Sequence, residues 1–251
     1  MRQAKCEKDW KPSSIIESIR KDTLIKLGKS KAVFGFSGGV DSTTLGAIMG
    51  PVLKKRLLAV TIDGGHLREG EILEIKRHAK AARVNLRIID ARRDFNKVMA
   101  GTVVAEEKRL RFKKVYLSLL TKAARSFGAK AILQGTLAPD RIESGFTGGA
   151  KIKSHHNVGL NMKGLLQLHP LDHLFKYEVR ALAKKISLPE SVWARQPFPG
   201  PGLFIRVIGV PATLKNLDIA RWADTRTREI LEKRGLYKNL SQLVVAYIGT
   251  P

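Results

Sequence analysis

Ala32-Val33-Phe34-Gly35-Phe36 runs directly into Ser37-Gly38-Gly39-Val40-Asp41-Ser42, and helix-spaced apolar residues follow over 43–49. A β-branched and aromatic run that ends in a glycine pair and opens into a helical pattern predicts a strand–loop–helix unit. Glycines let the backbone approach a ligand closely, and the first amides of the helix point at whatever the loop holds. Ser37 and Ser42 add hydroxyl donors. Asp41 adds a carboxylate, which a bare phosphate would repel but which makes sense when Mg²⁺ arrives with the phosphates. The stretch therefore reads as a pyrophosphate cradle, with Ser37, Gly38, Gly39, Val40, Asp41 and Ser42 on the nucleotide and Asp41 on the metal. The competing reading is a glycine-rich turn capped by Ser or Asp. The spacing fits neither G-x-G-x-x-G nor G-x-x-x-x-G-K-[ST], so Rossmann and Walker loops do not apply.

Outward from this loop, strand and helix patterns alternate. Helix spacing over 10–27 ends at Gly28, and an apolar strand over 57–62 ends at Asp63-Gly64-Gly65. Helical spacing returns over 69–82, 94–100 and 106–127, with strands expected at 84–89 and 131–133. Such alternation predicts an α/β fold, a doubly wound parallel sheet whose ligands bind beyond the carboxyl ends of the strands. Segments 63–71 and 134–144 sit at such ends. The glycine-rich stretch 145–164 interrupts the pattern as a long functional loop, and a helix over 175–186 follows. Pro197-Phe198-Pro199-Gly200-Pro201-Gly202 reads as a rigid joint. Beyond it, strands over 203–210 and 240–248 flank a helix over 214–233 as one β-α-β unit. This divides the chain into a domain over 1–200 and a small α+β piece over 201–251, too meagre a core to stand without a partner surface.

Composition narrows the setting. No run approaches the roughly 18 apolar residues of a membrane span, and the polar N-terminus lacks a signal peptide's apolar core. Cys6 is the single cysteine, so neither a disulfide framework nor a thiolate metal site is expected. A cytoplasmic protein without membrane association is the expectation. The charge is unusual: 46 Lys and Arg against 22 Asp and Glu give a net +24. Between Lys76 and Lys130 stand 16 basic and 4 acidic residues. A polyanion is the natural partner for such a balance. No aromatic interleaving accompanies the basic stretch, so nucleic acid ranks behind a nucleotide or a plainly solvated surface.

Ser-Gly-Gly-Val-Asp-Ser resembles the PP-loop of the N-type ATP pyrophosphatases. Further blocks are similar in order and spacing to GMP synthetases. These are Gln134-Gly135-Thr136 with Pro139-Asp140 and Ile142-Glu143-Ser144, then Ile152-Lys153-Ser154-His155-His156-Asn157-Val158-Gly159. Leu174-Phe175-Lys176 with Glu178-Val179-Arg180, Pro197 to Leu203, and Ile205-Arg206-Val207 complete the set. The resemblance implies the adenine nucleotide alpha hydrolase-like fold and a two-step amidation. ATP adenylylates the 2-oxygen of xanthosine 5′-monophosphate (XMP) with loss of pyrophosphate, and ammonia then displaces AMP to give GMP.

It also implies site residues: Asp41 and Lys153 in catalysis, the latter on a lid closing over the phosphates, and Asp63 at the nucleotide edge. Arg109 (in the pair Lys108-Arg109), Asp140 and Pro201 fall to substrate. ATP and Mg²⁺ are the implied cofactors. No glutamine amidotransferase module precedes residue 31, so a separate amidotransferase subunit is the expected ammonia source. The family runs on past Ile248 to complete a dimerisation domain, which makes 201–251 a partial one and raises a homodimer. Departures from the pattern are Leu160-Asn161-Met162-Lys163, His169 in place of Glu, and Tyr177 in place of Asp. They leave room for a degenerate paralogue that binds nucleotide or RNA without making GMP. A tRNA-modifying PP-loop enzyme is a third reading.

Overall fold

Apolar residues fill 57–62, and in the computed structural model, which describes residues 10–143 and 164–249, the strand they form is buried from Leu57 to Ile62. This is β2 (Leu57–Asp63). A strand so enclosed needs cover on both faces, as a central parallel strand has. It lies between β1 (Lys31–Gly35) and β3 (Asn85–Asp90). With β4 (Ala129–Leu133) and β5 (Leu166–Leu168) they form a sheet in the order β3-β2-β1-β4-β5, every pairing parallel. The order reverses between β1 and β4, so the chain leaving β1 emerges at the switch point where such sheets hold ligands. The expected doubly wound sheet is the fold.

Alternation along β1 divides the core. Ala32 and Phe34 face a cluster with α1 (Pro12–Leu27), α2 (Val40–Leu53) and α7 (Lys176–Lys185). Val33 faces the other way, onto α4 (Arg92–Met99) and α5 (Ala105–Phe127). The remaining helices are α3 (Glu71–Ala81), α6 (Ala138–Glu143), α8 (Glu190–Trp193) and α9 (Leu214–Lys233). β5, three residues long, was not expected from the sequence. No helix among the described residues is long and apolar enough to cross a membrane.

The C-terminal stretch departs most from expectation. Instead of strands over 203–210 and 240–248, there is a 3₁₀ turn at Gly202–Arg206 and a parallel ladder of two residues each, β6 (Val207–Ile208) with β7 (Tyr247–Ile248). The reason is local. Gly202 (φ +55) and Gly209 (φ +78) turn the chain at both ends of the first run. Leu203 and Phe204 are thereby driven inward. The second run is pinned by a side chain rather than a neighbouring strand: Gln196 donates to the carbonyls of Tyr237 (3.2 Å) and Leu240 (3.1 Å) and accepts from Leu243 N (2.8 Å).

Residues on both sides of position 200 share one apolar cluster. Leu203, Phe204, Leu217 and Ala220 pack with Val60, Phe95 and Phe112. At its centre His66 stacks on Phe204 (5.5 Å between centroids) and meets Phe112 edge-on (4.9 Å). Burial drives the pKa of this imidazole down to about 3, so it is neutral. Asp224 on α9, fully buried, takes Arg206 at 2.7 Å, Arg68 at 3.0 Å and Arg228 at 3.3 Å. Arg68 and Arg206 also sit against the Phe198 ring, 4.3 and 4.8 Å from its centroid.

Candidate nucleotide site

Gly38 lies at φ +68, and a Cβ there would meet Ile75 Cγ1 at 2.9 Å. Backbone conformation and space both demand glycine at this point. Its carbonyl is held from two sides, by His78 Nδ1 at 2.7 Å and by Arg195 at 3.4 Å. His78 in turn bonds Ser191 Oγ (3.1 Å), and Arg195 is paired with Glu71 and Glu74. Burial lowers the pKa of His78, with the Gly38 carbonyl opposing. The loop is thus supported from beneath by α3, α8 and the chain after it.

Ser37 and Ser42 close the loop: their hydroxyls lie 3.2 Å apart, and Ser37 Oγ accepts from Gly39 N at 3.3 Å. Gly39 is the N-cap of α2 and has no side chain to offer, so no cap bond satisfies the first amides of the helix. Open amides, a helix dipole and two hydroxyls at one point make an anion cradle.

Asp41, in the first turn of α2, receives Lys176 Nζ at 2.5 Å from the first turn of α7. Its other oxygen, Oδ1, is buried and has no hydrogen-bond partner among the described residues. Burial raises the pKa of this carboxyl, Lys176 pulls it back, and the nearby charge of Asp140 pushes it up again. Asp140 is placed by its own helix turn, with Oδ2 accepting from Leu137 N at 2.9 Å. Gly135 brings the chain after β4 alongside, where a Cβ would lie 3.6 Å from Asp41 Cβ. Next to it, His169 Nδ1 bonds Thr136 Oγ1 at 2.9 Å, which gives the unexpected histidine a structural role.

A half-paired carboxylate with one buried oxygen at the mouth of a cradle has the chemistry of a divalent-cation ligand, since a buried oxygen without a donor is costly unless a cation takes it. Among the described residues no group of three or more His, Cys, Asp or Glu could hold a metal alone. Asp41 therefore fits Mg²⁺ that brings phosphate oxygens as its other ligands.

The expected site residues thus fall into separate places. Ser37 through Ser42 and Asp140 converge on one point, and Lys176 and Arg180 join them, Arg180 acting on Asp41 through its charge. Asp63 ends β2 on the same sheet edge, its Oδ1 engaged by Gly65 N at 2.9 Å. Pro201 is buried as the N-cap of the 3₁₀ turn. Arg109 is paired with Glu106 on its own helix at 3.5 Å. Its neighbour Lys108 is buried, donating to the carbonyls of Val207 (2.6 Å) and Val210 (3.0 Å). Lys153 and Cys6 lie outside the described residues. No local pattern in the sequence points to a role for His78 or Arg195, which the fold brings to the loop. Lys176 left a signal, as part of the Leu174-Phe175-Lys176 block.

The family model for NAD synthase matches residues 13–115. GMP synthase from Bifidobacterium longum is 41% identical over 254 residues, 96% of this chain and 47% of that protein. A glutamine-hydrolysing GMP synthase of Methanothermobacter thermautotrophicus, named as one subunit of that enzyme, is 38% identical over 240 residues, 95% of this chain and 76% of that protein. The chain spans about half the length of several of the relatives it matches. Among solved structures, NMN synthetase from Francisella tularensis superposes with a TM-score of 0.61 at 14% identity, covering 95% of this chain and 99% of that one. The NH₃-dependent NAD synthetase of Campylobacter jejuni gives 0.57 at 15% identity, over 90% and 88%. At such identities the structural likeness establishes the fold.

Proposed function

The chain belongs to the GMP synthase family, and we propose that it is the ATP-pyrophosphatase subunit of such a synthase. It would adenylylate XMP with release of pyrophosphate and admit ammonia to form GMP. The observation that carries this reading is the uncapped start of α2 beside the buried, unpartnered Oδ1 of Asp41, in a chain 38% identical to a separate GMP synthase subunit.

In this reading the triphosphate lies in the Ser37–Ser42 loop with its β-phosphate toward the open amides of α2. Cleavage at the α-phosphorus leaves charge on the departing pyrophosphate, and donors already aimed there stabilise it without reorganising. Asp41 would hold Mg²⁺, which when bound neutralises part of that charge. Lys176 draws Asp41 toward its ionised form against the burial that opposes it, and Lys153 would close over the phosphates. Asp63 is assigned to the nucleotide edge, and Arg109, Asp140 and Pro201 to the acceptor. Ammonia would come from a separate glutamine amidotransferase subunit. Residues 201–251 would form an appended lobe, and the exposed Ile219 and Trp222 on α9 suit pairing with a second copy. A cytoplasmic setting fits these substrates.

The test is pyrophosphate release from Mg-ATP with and without XMP in ammonium buffer, with GMP followed alongside. XMP-dependent pyrophosphate matched by GMP is expected, and ATP turnover indifferent to XMP would overturn the assignment. Asp41→Asn should lower that rate by about 100-fold or more, as loss of a group acting on transition-state charge does. Its melting temperature should hold, and an unchanged rate would remove Asp41 from the metal.

A further inference from the structure

The nucleotide site lies beyond the carboxyl ends of the strands. The opposite edge, where the strands begin, is built from four turns that lead out of α1, α2, α3 and α5 into β1, β2, β3 and β4. Contacts tie these turns into one rim. Arg56 donates to the carbonyls of Gly28 (2.7 Å) and Ser30 (3.2 Å). A Cβ on Gly50, one turn before Lys54, would lie 3.1 Å from the Arg83 carbonyl. Lys31 stands over the Phe127 ring at 5.0 Å and donates to its carbonyl at 3.4 Å.

The rim carries cations and no acid. Segments 26–31 and 53–57 each hold three Lys or Arg, 82–85 holds one and 125–130 two, and none holds Asp or Glu. Arg56 and Lys31 serve the fold through the contacts above. Lys26, Lys29, Lys54, Lys55, Arg83, Arg125 and Lys130 are all exposed, and among the described residues no hydrogen bond or ion pair engages their side chains.

Helix carboxyl ends attract cations through their dipoles, but two of these residues go further than that. Lys54 (φ +50) and Arg83 (φ +54) occupy left-handed backbone, where a side chain is strained and glycine is the usual choice. The other two helix ends on the rim make that choice, with Gly28 (φ +58) and Gly128 (φ +73). A cation thus stands in a glycine position on two adjacent turns.

We infer that this rim is a docking surface for the phosphodiester backbone of nucleic acid. No large apolar side chain is exposed in the four turns, so they lack the apolar centre of a protein interface. Their one aromatic, Phe127, lies under Lys31 and offers no face for stacking a base. Four strands at the usual spacing span about 14 Å. One strand of a duplex presents about four phosphates over that distance. Such a surface binds phosphate without reading sequence.

The experiment is fluorescence anisotropy with 20-base-pair RNA and DNA duplexes, titrated with the intact protein from 50 to 200 mM salt. Four phosphate contacts give a log–log slope of about −4, a loss of roughly 100-fold across that range. The double variant Lys54→Gly, Arg83→Gly relaxes both strained positions and should bring the slope to about −2. Pyrophosphate release should be untouched, because the site lies at the other end of the strands. Lys29→Glu with Lys130→Glu provides a second, independent variant and should weaken binding further. Binding of either duplex with that salt slope supports the inference. Equal affinity for polyglutamate, no duplex binding at 50 mM salt, or a slope that both variants leave unchanged overturns it.

Discussion

Two glycine-rich loops leave the carboxyl edge of the sheet side by side, one after β1 and one after β2, and only the first stays open. In the first, the amides at the start of α2 have no capping side chain. In the second, the backbone is taken up by residues beyond position 200: Arg221 donates to the carbonyls of Gly65 (2.6 Å) and Leu67 (3.0 Å), and Leu203 N donates to that of His66 (2.8 Å). Gly64 makes room for protein too, since a Cβ there would lie 2.5 Å from the Phe95 ring. Glycine in both loops announces a close approach. At Gly38 as at Gly64 it is the chain itself that approaches; what sets the first loop apart is the helix start beside it, whose open amides suit phosphate.

The comparison breaks most sharply at Asp224. Asp224→Ala leaves Arg68 and Arg206 buried without a counter-charge and should cost about 3–5 kcal/mol. Urea unfolding would measure it; a loss under 1 kcal/mol would show that the lobe does not depend on this cluster. Gly38→Ala should cost about 1–2 kcal/mol for the left-handed backbone alone. The clash with Ile75 adds to that and should displace the cradle, so pyrophosphate release falls with stability. Gly65→Ala carries a similar backbone cost (φ +79), but its new methyl would meet only the flexible Arg92 side chain, at 3.5 Å. Its rate should therefore stay near wild type, and a Gly65→Ala variant as slow as Gly38→Ala would erase the distinction between the loops.

The smallest expected effect is a displacement along the pH axis. Asp41 must be ionised to take Mg²⁺, burial already lifts its pKa, and Lys176 is the main influence lowering it. Lys176→Met should move the acid limb of the rate profile to higher pH. A profile that merely drops in height, without shifting, would deny Lys176 this electrostatic role.

Legibility in the sequence followed distance along the chain. The β1–loop–α2 unit could be read because strand run, glycine pair and helix start are contiguous. The partners that complete it could not, because Lys176 stands 135 residues from Asp41, and Arg195 stands 157 from Gly38. Pairings at such separations leave no local period. β5 escaped notice because three residues are too few for any period to register. The 240–248 segment has the composition of a strand, yet Gln196 satisfies its backbone from a distance and most of it never joins a ladder. Among the expected site residues, the contiguous Ser37–Ser42 loop and Asp140 converge, while Pro201 caps the 3₁₀ turn and Arg109 lies 3.5 Å from Glu106 on its own helix.

His66 gives the molecule an acid limit. An unfolded chain protonates this histidine near its ordinary value of 6.5, whereas the folded one resists down to about 3. The folded state therefore binds the proton less readily. Its full stabilisation holds above pH 6.5 and drains away below it, on the order of 1.4 kcal/mol per pH unit. Because the ring lies where Phe204 meets the main sheet, that loss falls on the seam between the lobe and the rest. Mild acidification would act there as a parting agent, loosening the packing of the last fifty or so residues on the main sheet.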